Sequence, residues 1–260
     1  MALLINKNEY ASRMNSSMKY KQEILPHIVG EKVLDFGCGT GMLTSLIKEK
    51  RPLSYVVGYD NSKEMLEIAQ TYGDSNVKFT NVFPTEHFDT IILSGVLHEV
   101  FSYENGMSSV IELLKKLKDL LYENGKIIVR ECLLVDKKEK LQARFTNQLD
   151  GFDFYSEYSK QYKWKVPDLI LDGRGYKIVG YAESVLEFLN KYTWGWQSLP
   201  REINEKVYFA DFFDWTSIEK SLELTMAIRT VLQKDYYKFL DKKVYNYSKG
   251  DTHIIVEFRK

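Results

Sequence analysis

Three glycines at alternate positions, Gly37, Gly39 and Gly41, follow a short apolar run of Val33, Leu34 and Phe36, and Asp35 stands two residues ahead of the first of them. Glycines so placed let a backbone pass close to a ligand where a Cβ would collide. Met42, Leu43, Leu46 and Ile47 then recur at helical spacing, so the loop opens into a helix whose first N–H groups can meet a polar or anionic group. Strand, glycine turn and helix make a cofactor cradle. Asp60 ends the next apolar run, Tyr55 to Tyr59, 25 residues after Asp35. One strand-helix-strand unit has that length, which puts the Asp60 carboxylate where a ribose diol lies.

The order acid, hydrophobe, Gly-x-Gly-x-Gly, together with the later Asp60, resembles the S-adenosylmethionine site of class I methyltransferases. A nicotinamide fingerprint would carry its third glycine one position later, so a dehydrogenase is the disfavoured competitor. The resemblance implies S-adenosyl-L-methionine as cofactor, held by Asp35, Gly37, Cys38, Gly39, Asp60 and Asn61. Asn61 and Glu64 also have the spacing of a capping box, which predicts a helix start there. Met65 has two readings, a core residue or a side chain against adenine. Family members usually carry an acid after the third strand for the adenine amino group; here Asn81 and Val82 fill that place, and an Asn carbonyl can accept the same bond. The segment before the first strand is either a packing helix or a cover that brings Arg13 or Lys19 to the methionine carboxylate.

Phe88 to Leu93 reads as a buried fourth strand ending in Ser94-Gly95-Val96-Leu97-His98-Glu99. Ligands of doubly wound sheets bind at the carboxyl ends of strands near the switch point, so Ser94 to His98 should face the glycine crevice. His98 is either a structural residue or a proton acceptor or substrate contact near the transferred methyl. Further on, Tyr192-Thr193-Trp194-Gly195-Trp196 and Pro200-Arg201-Glu202 make either a structural corner or a substrate wall anchored by Arg201, with Tyr192 and Arg201 as candidate catalytic residues beside His98. His-Glu without a second His is no zinc motif, and no metal is expected.

Composition narrows the partners. Lys plus Arg equals Asp plus Glu at 36 each, so no global field draws the chain to nucleic acid or anionic membrane. No apolar run approaches the about 20 residues that span a bilayer, and no secretory leader pattern opens the chain, so a cytoplasmic location is expected. Cys38 and Cys132 are poor material for a disulfide framework. The amino-methylating DNA signature is replaced at the fourth strand's end by Ser94-Gly95-Val96-Leu97, and neither cysteine sits there as a pyrimidine nucleophile. A small or medium-sized acceptor (metabolite, nucleotide or sugar derivative) is the favoured expectation. An RNA gripped by Lys160, Lys163 and Lys165, or a methyltransferase-like scaffold without turnover, are the alternatives.

The positioning elements follow. Strand-helix alternation through Asn76 to Phe79, Phe88 to Leu93 and Lys126 to Glu131 predicts an α/β fold with a parallel, doubly wound sheet, which the resemblance makes seven-stranded and mostly parallel. The helix through Val110 to Leu121 is expected to stop at Glu123-Asn124-Gly125. Residues 1–30 form an N-terminal helical segment, 31–133 and 215–260 the cofactor core, and 134–214 an aromatic-rich, mainly helical cap inserted after strand five. The tail reads as a helix to Leu222, a strand Leu224 to Leu232, a helix Tyr236 to Val244 and a closing strand Thr252 to Phe258.

Overall fold

Strand β1 (Lys32–Phe36) buries Val33, Leu34, Asp35 and Phe36 because parallel neighbours cover both its edges and helices both its faces. In this computed structural model, which describes residues 18–232 and 234–260, it is the third strand of a seven-stranded sheet. Helix α1 (Met18–Lys21) and a 3₁₀ turn (Gln22–His27) precede it. Then come α2 (Met42–Lys50), β2 (Tyr55–Tyr59), α3 (Lys63–Tyr72), β3 (Lys78–Thr80), β4 (Phe88–Ser94), α4 (Leu97–Tyr103), α5 (Met107–Asp119) and β5 (Leu121–Cys132). The sheet order is β3-β2-β1-β4-β5, extended by β11 (His253–Arg259) and β9 (Thr225–Val231), with β11 antiparallel to both neighbours. Helix α9 (Phe212–Leu222) leads into β9 and buries Trp215, Ile218 and Leu222 against the sheet.

The expected helix stop at Glu123-Asn124-Gly125 lies inside β5. Leu121 is already paired with Phe88, and Asn124 at φ 65° absorbs the irregularity in register between Phe88 and Thr90. Pairing and burial of Leu121 decide the boundary over the helical periodicity that includes it.

The insertion holds β6 (Lys140–Phe145), α6 (Gln148–Gln161), β7 (Asp168–Asp172), β8 (Gly175–Tyr181), α7 (Ala182–Trp194) and the short α8 (Leu199–Glu202). Helices dominate its regular residues, as expected, but its frame is an antiparallel sheet in the order β10-β6-β8-β7 that the reading of residues 134–214 did not contain. The fourth strand, β10 (Val244–Tyr245), comes from the tail, behind α10 (Lys234–Leu240). Val244 pairs with Phe145, and Leu240 and Val244 pack with Phe154, Phe188 and Tyr192. The tail segment assigned to the core from residue 215 therefore crosses to the insertion, because its apolar side chains find their partners there. The expected helix to Val244 ends at Leu240 for the same reason.

Phe188 is fully buried at the centre of this second core, with ring contacts to Phe145, Phe154, Tyr155, Tyr158 and Tyr192. Replacing it with Ala is expected to cost about 3–5 kcal/mol in denaturant unfolding. A loss below about 1 kcal/mol would show that the second core does not unfold with the first.

Candidate active site

The glycine loop is pressed between two strand ends. Gly37 N and Cys38 N both donate to the Tyr59 carbonyl, at 2.7 and 2.9 Å, and Gly39 N donates to Asp60 Oδ2 at 2.8 Å. On the other side a Cβ at Gly37, where φ is +75°, would stand 2.5 Å from Val96 Cγ2 in the turn after β4. Both the conformation and the contact require glycine there. Asp60 Oδ1 accepts from Ser62 N at 2.8 Å, and Ser62 Oγ in turn accepts from Met65 N at 3.3 Å as the N-cap of α3. The cap is thus Ser62, one residue beyond the expected Asn61, because Asp60 fixes the chain so that the serine reaches the first turn. Two bonds leave the Asp60 carboxylate with unused lone pairs.

These constraints hold open a crevice of about 460 Å³. Gly37, Gly39, Asp60, Asn61, Met65 and Ser94 all line it, so six of the expected cofactor residues come together. Asp35 and Cys38 lie behind the loop, around a smaller hollow that also meets Lys21 and Ser94. Burial pushes the Asp35 carboxyl up to about 6 even though Thr44 Oγ1 donates to it at 2.6 Å. The Cys38 thiol is likewise pushed well up by burial, so it stays protonated. Asn81 and Val82, expected at the adenine, are exposed and border neither hollow. Phe83, though exposed, lines the crevice edge-on to Phe36 and Tyr59, whose rings cover part of it.

The far wall is charged. Glu131, at the end of β5, accepts from Val96 N and Leu97 N through Oε1, at 2.9 and 2.7 Å, and meets His98 Nδ1 through Oε2 at 2.9 Å. His98 Nε2 lies 3.8 Å from Glu205 Oε2, and Tyr103 donates to Glu205 Oε1 at 3.1 Å. Burial works against a charged imidazole, but the surrounding carboxylates, Glu131 foremost, prevail and raise His98 to about 9. At neutral pH it holds its proton, so the expected role of proton acceptor needs alkaline conditions. His98 stands behind Glu99, which lines the crevice. Glu99 is open to the crevice yet enclosed by its walls, and this desolvation raises its carboxyl to about 7, with His98 opposing.

The other two expected catalytic residues part company. Tyr192 is fully buried inside the insertion, where its hydroxyl donates to Asp150 Oδ2 at 2.8 Å. It belongs to that core because α7 packs its ring among Phe145, Phe154 and Phe188. Trp196 donates to the other Asp150 oxygen at 3.0 Å, and neither Trp194 nor Trp196 lines the crevice. Arg201 pairs with Glu202, and its charge acts on Glu205 and Tyr103, which keeps it at the edge of the charged wall. Lys19 pairs with Asp235 and borders neither hollow, and Arg13 lies outside the described residues. Lys21 borders the smaller hollow instead. Burial lowers its pKa while Asp35 pulls it up. The sequence carried little signal for Lys21, Phe83, Glu131 or Glu205, since only the folded chain brings Phe83 to the crevice, Lys21 to the smaller hollow, and Glu131 and Glu205 against His98.

Residues 10–164 match the family described as a methyltransferase domain, and the chain belongs to this family of class I, S-adenosylmethionine-dependent methyltransferases. An uncharacterized protein of Methanocaldococcus jannaschii is 29% identical over 60% of this chain and 43% of its own length. A demethylmenaquinone methyltransferase of Thermotoga maritima is 30% identical over 64% of this chain and 67% of its own. An S-adenosylmethionine-dependent methyltransferase from Mesorhizobium loti shares the fold at a TM-score of 0.57 and 15% identity, covering 94% of this chain and 97% of that one. The residues present fit the family's cofactor. Ser94 Oγ, buried where the two hollows meet, has no hydrogen-bond partner, and the crevice supplies a carboxylate, an aromatic wall and a nearby lysine. Among the described residues no helix is long and apolar enough to cross a membrane.

The charge on His98 sets a pH dependence of stability. A histidine raised in the folded state stabilises fully below its unfolded value and loses that contribution as pH rises through its folded value of about 9. Glu99 is half titrated at about 7 and is mostly ionised once the pH passes the lower edge of that window. The melting-temperature deficit of His98→Asn relative to the unaltered protein should therefore shrink between about pH 7.5 and about pH 10. A deficit constant over that range would contradict the charged histidine.

Proposed function

We propose that the protein transfers the methyl group of S-adenosylmethionine to a small or medium-sized acceptor, a metabolite, nucleotide or sugar derivative. The observation that carries this reading is the Asp60 carboxylate, fixed by Gly39 N and Ser62 N with lone pairs left toward the crevice. Asp60 would receive the ribose hydroxyls, Phe83 and Met65 would flank the base, and Lys21 with Ser94 would meet the amino-acid end. The cofactor supplies an already activated methyl on a cationic sulfur. What remains for the chain is to align the acceptor and strip its water, for which an enclosed wall beside Ser94 and Gly95 is suited.

Two features support a small acceptor. The acceptor side of the crevice is lined by Glu99, Glu104 and Glu112 against the single cation Lys116, with Glu131 and Glu205 behind, a net negative wall that repels a phosphate backbone. The lysines offered for RNA are engaged elsewhere: Lys163 donates to the Ser102 carbonyl at 3.2 Å and Lys165 lies over the Tyr181 ring. The Thermotoga relative, named for a small-molecule acceptor, points the same way.

Asp60→Ala is expected to weaken S-adenosylmethionine binding by about 1.5–3 kcal/mol in calorimetry, the range for bonds to a charged group. Val82→Ala, at an exposed position off the crevice, should change it by less than about 0.5 kcal/mol. Unchanged affinity in the first variant would refute the ribose assignment. Turnover is tested by release of S-adenosylhomocysteine from pooled small acceptors against pooled RNA, and release with RNA alone would overturn the acceptor class.

A further inference from the structure

We propose that His98, Glu99 and Glu205 form a divalent-cation site at the acceptor side of the crevice. Their ligand atoms, one from an imidazole and one from each carboxylate, lie within 4.8 Å of one another. The imidazole is already oriented as a ligand. Glu131, anchored by two backbone N–H groups, takes Nδ1, and this directs Nε2 toward Glu205, the arrangement in which an outer carboxylate fixes the tautomer of a metal-binding histidine.

Glu205 is held in place from its other side. Tyr103 donates to its Oε1, and the next residue, Lys206, donates its backbone N–H to Ser102 Oγ at 2.7 Å, so the loop after α8 is tied to α4. The Glu99 carboxylate, by contrast, makes no hydrogen bond among the described residues and opens to the crevice. The cations nearest in sequence to Glu205 are committed: Lys206 pairs with Glu183 and Arg201 with Glu202.

Three carboxylates thus surround one imidazole, leaving an excess of negative charge in a confined place. A divalent ion neutralises it when Nε2 gives up its proton to solvent and ligates. One nitrogen and two carboxylate donors suit Mn²⁺ or Zn²⁺ better than an all-oxygen ion such as Ca²⁺. Drawing the three groups in to ligand distances of about 2.0–2.2 Å leaves positions open toward the crevice. An acceptor hydroxyl bound there would lose its proton more readily, so the role in catalysis, though not the site itself, rests on the methyl-transfer reading.

The test uses the full chain, stripped of metal, with Mn²⁺ followed by electron paramagnetic resonance and Zn²⁺ by calorimetry. One ion per chain is expected, weakened at least about tenfold in Glu99→Gln and in Glu205→Gln and unchanged in Glu123→Gln, which lies near the opposite end of β5 from Glu131. Should a variant misfold, selective Mn²⁺ broadening of the His98 ring resonances in the unaltered protein gives the same answer. Absence of a site tighter than about 1 mM, or binding that survives both substitutions, overturns the proposal. S-adenosylmethionine affinity measured on the same samples separates the two readings. Its retention with no metal binding sinks this inference alone, and its loss sinks the methyltransferase assignment.

Discussion

The clamp between the glycine loop and the end of β2 is the constraint from which the rest of the site derives. Three consecutive backbone N–H groups, from Gly37, Cys38 and Gly39, are spent on Tyr59 and Asp60. That fixes where the loop passes and leaves the same carboxylate facing the crevice. The turn after β4 closes the loop from the other side through Val96, so neither wall can shift without the other. A crevice held in this way is formed before any ligand arrives, and little ordering remains to be done on binding.

The insertion acts on this crevice at a distance from its own centre. Its aromatic core and four-stranded sheet give it an independent hydrophobic interior, while the segment after α8 crosses to α4 and places Glu205 against His98. The sheet end contributes Glu131 and the insertion Glu205, so the charged wall exists only where the two parts meet. Carboxylates outnumber the imidazole there. Burial opposes its charge, but Glu131, and after it Glu99 and Glu205, hold the proton on it.

What could be read in advance follows the range of the interactions. The β1 loop, Asp60 and the strand-helix alternation are local in sequence, and periodicity, glycine spacing and capping residues report local structure. Gly37, Gly39 and Asp60 therefore come together at one crevice. Long-range pairing was not legible. Nothing near Val244 announces that it joins Phe145, and the periodicity of Leu120 and Leu121 belongs to two different elements. Aromatic density drew attention to Tyr192 and Trp194, yet rings cluster for burial as readily as for ligands, and Tyr192 is a core residue. Glu131, in an unremarkable apolar strand, carries more of the site's electrostatics than either.

The most direct measurement is a crystal structure of the protein with S-adenosylhomocysteine. The account predicts both ribose hydroxyls within hydrogen-bonding distance of the Asp60 carboxylate and the sulfur directed toward Ser94 and Gly95. A nucleoside bound elsewhere, or with its ribose turned away from Asp60, would contradict it.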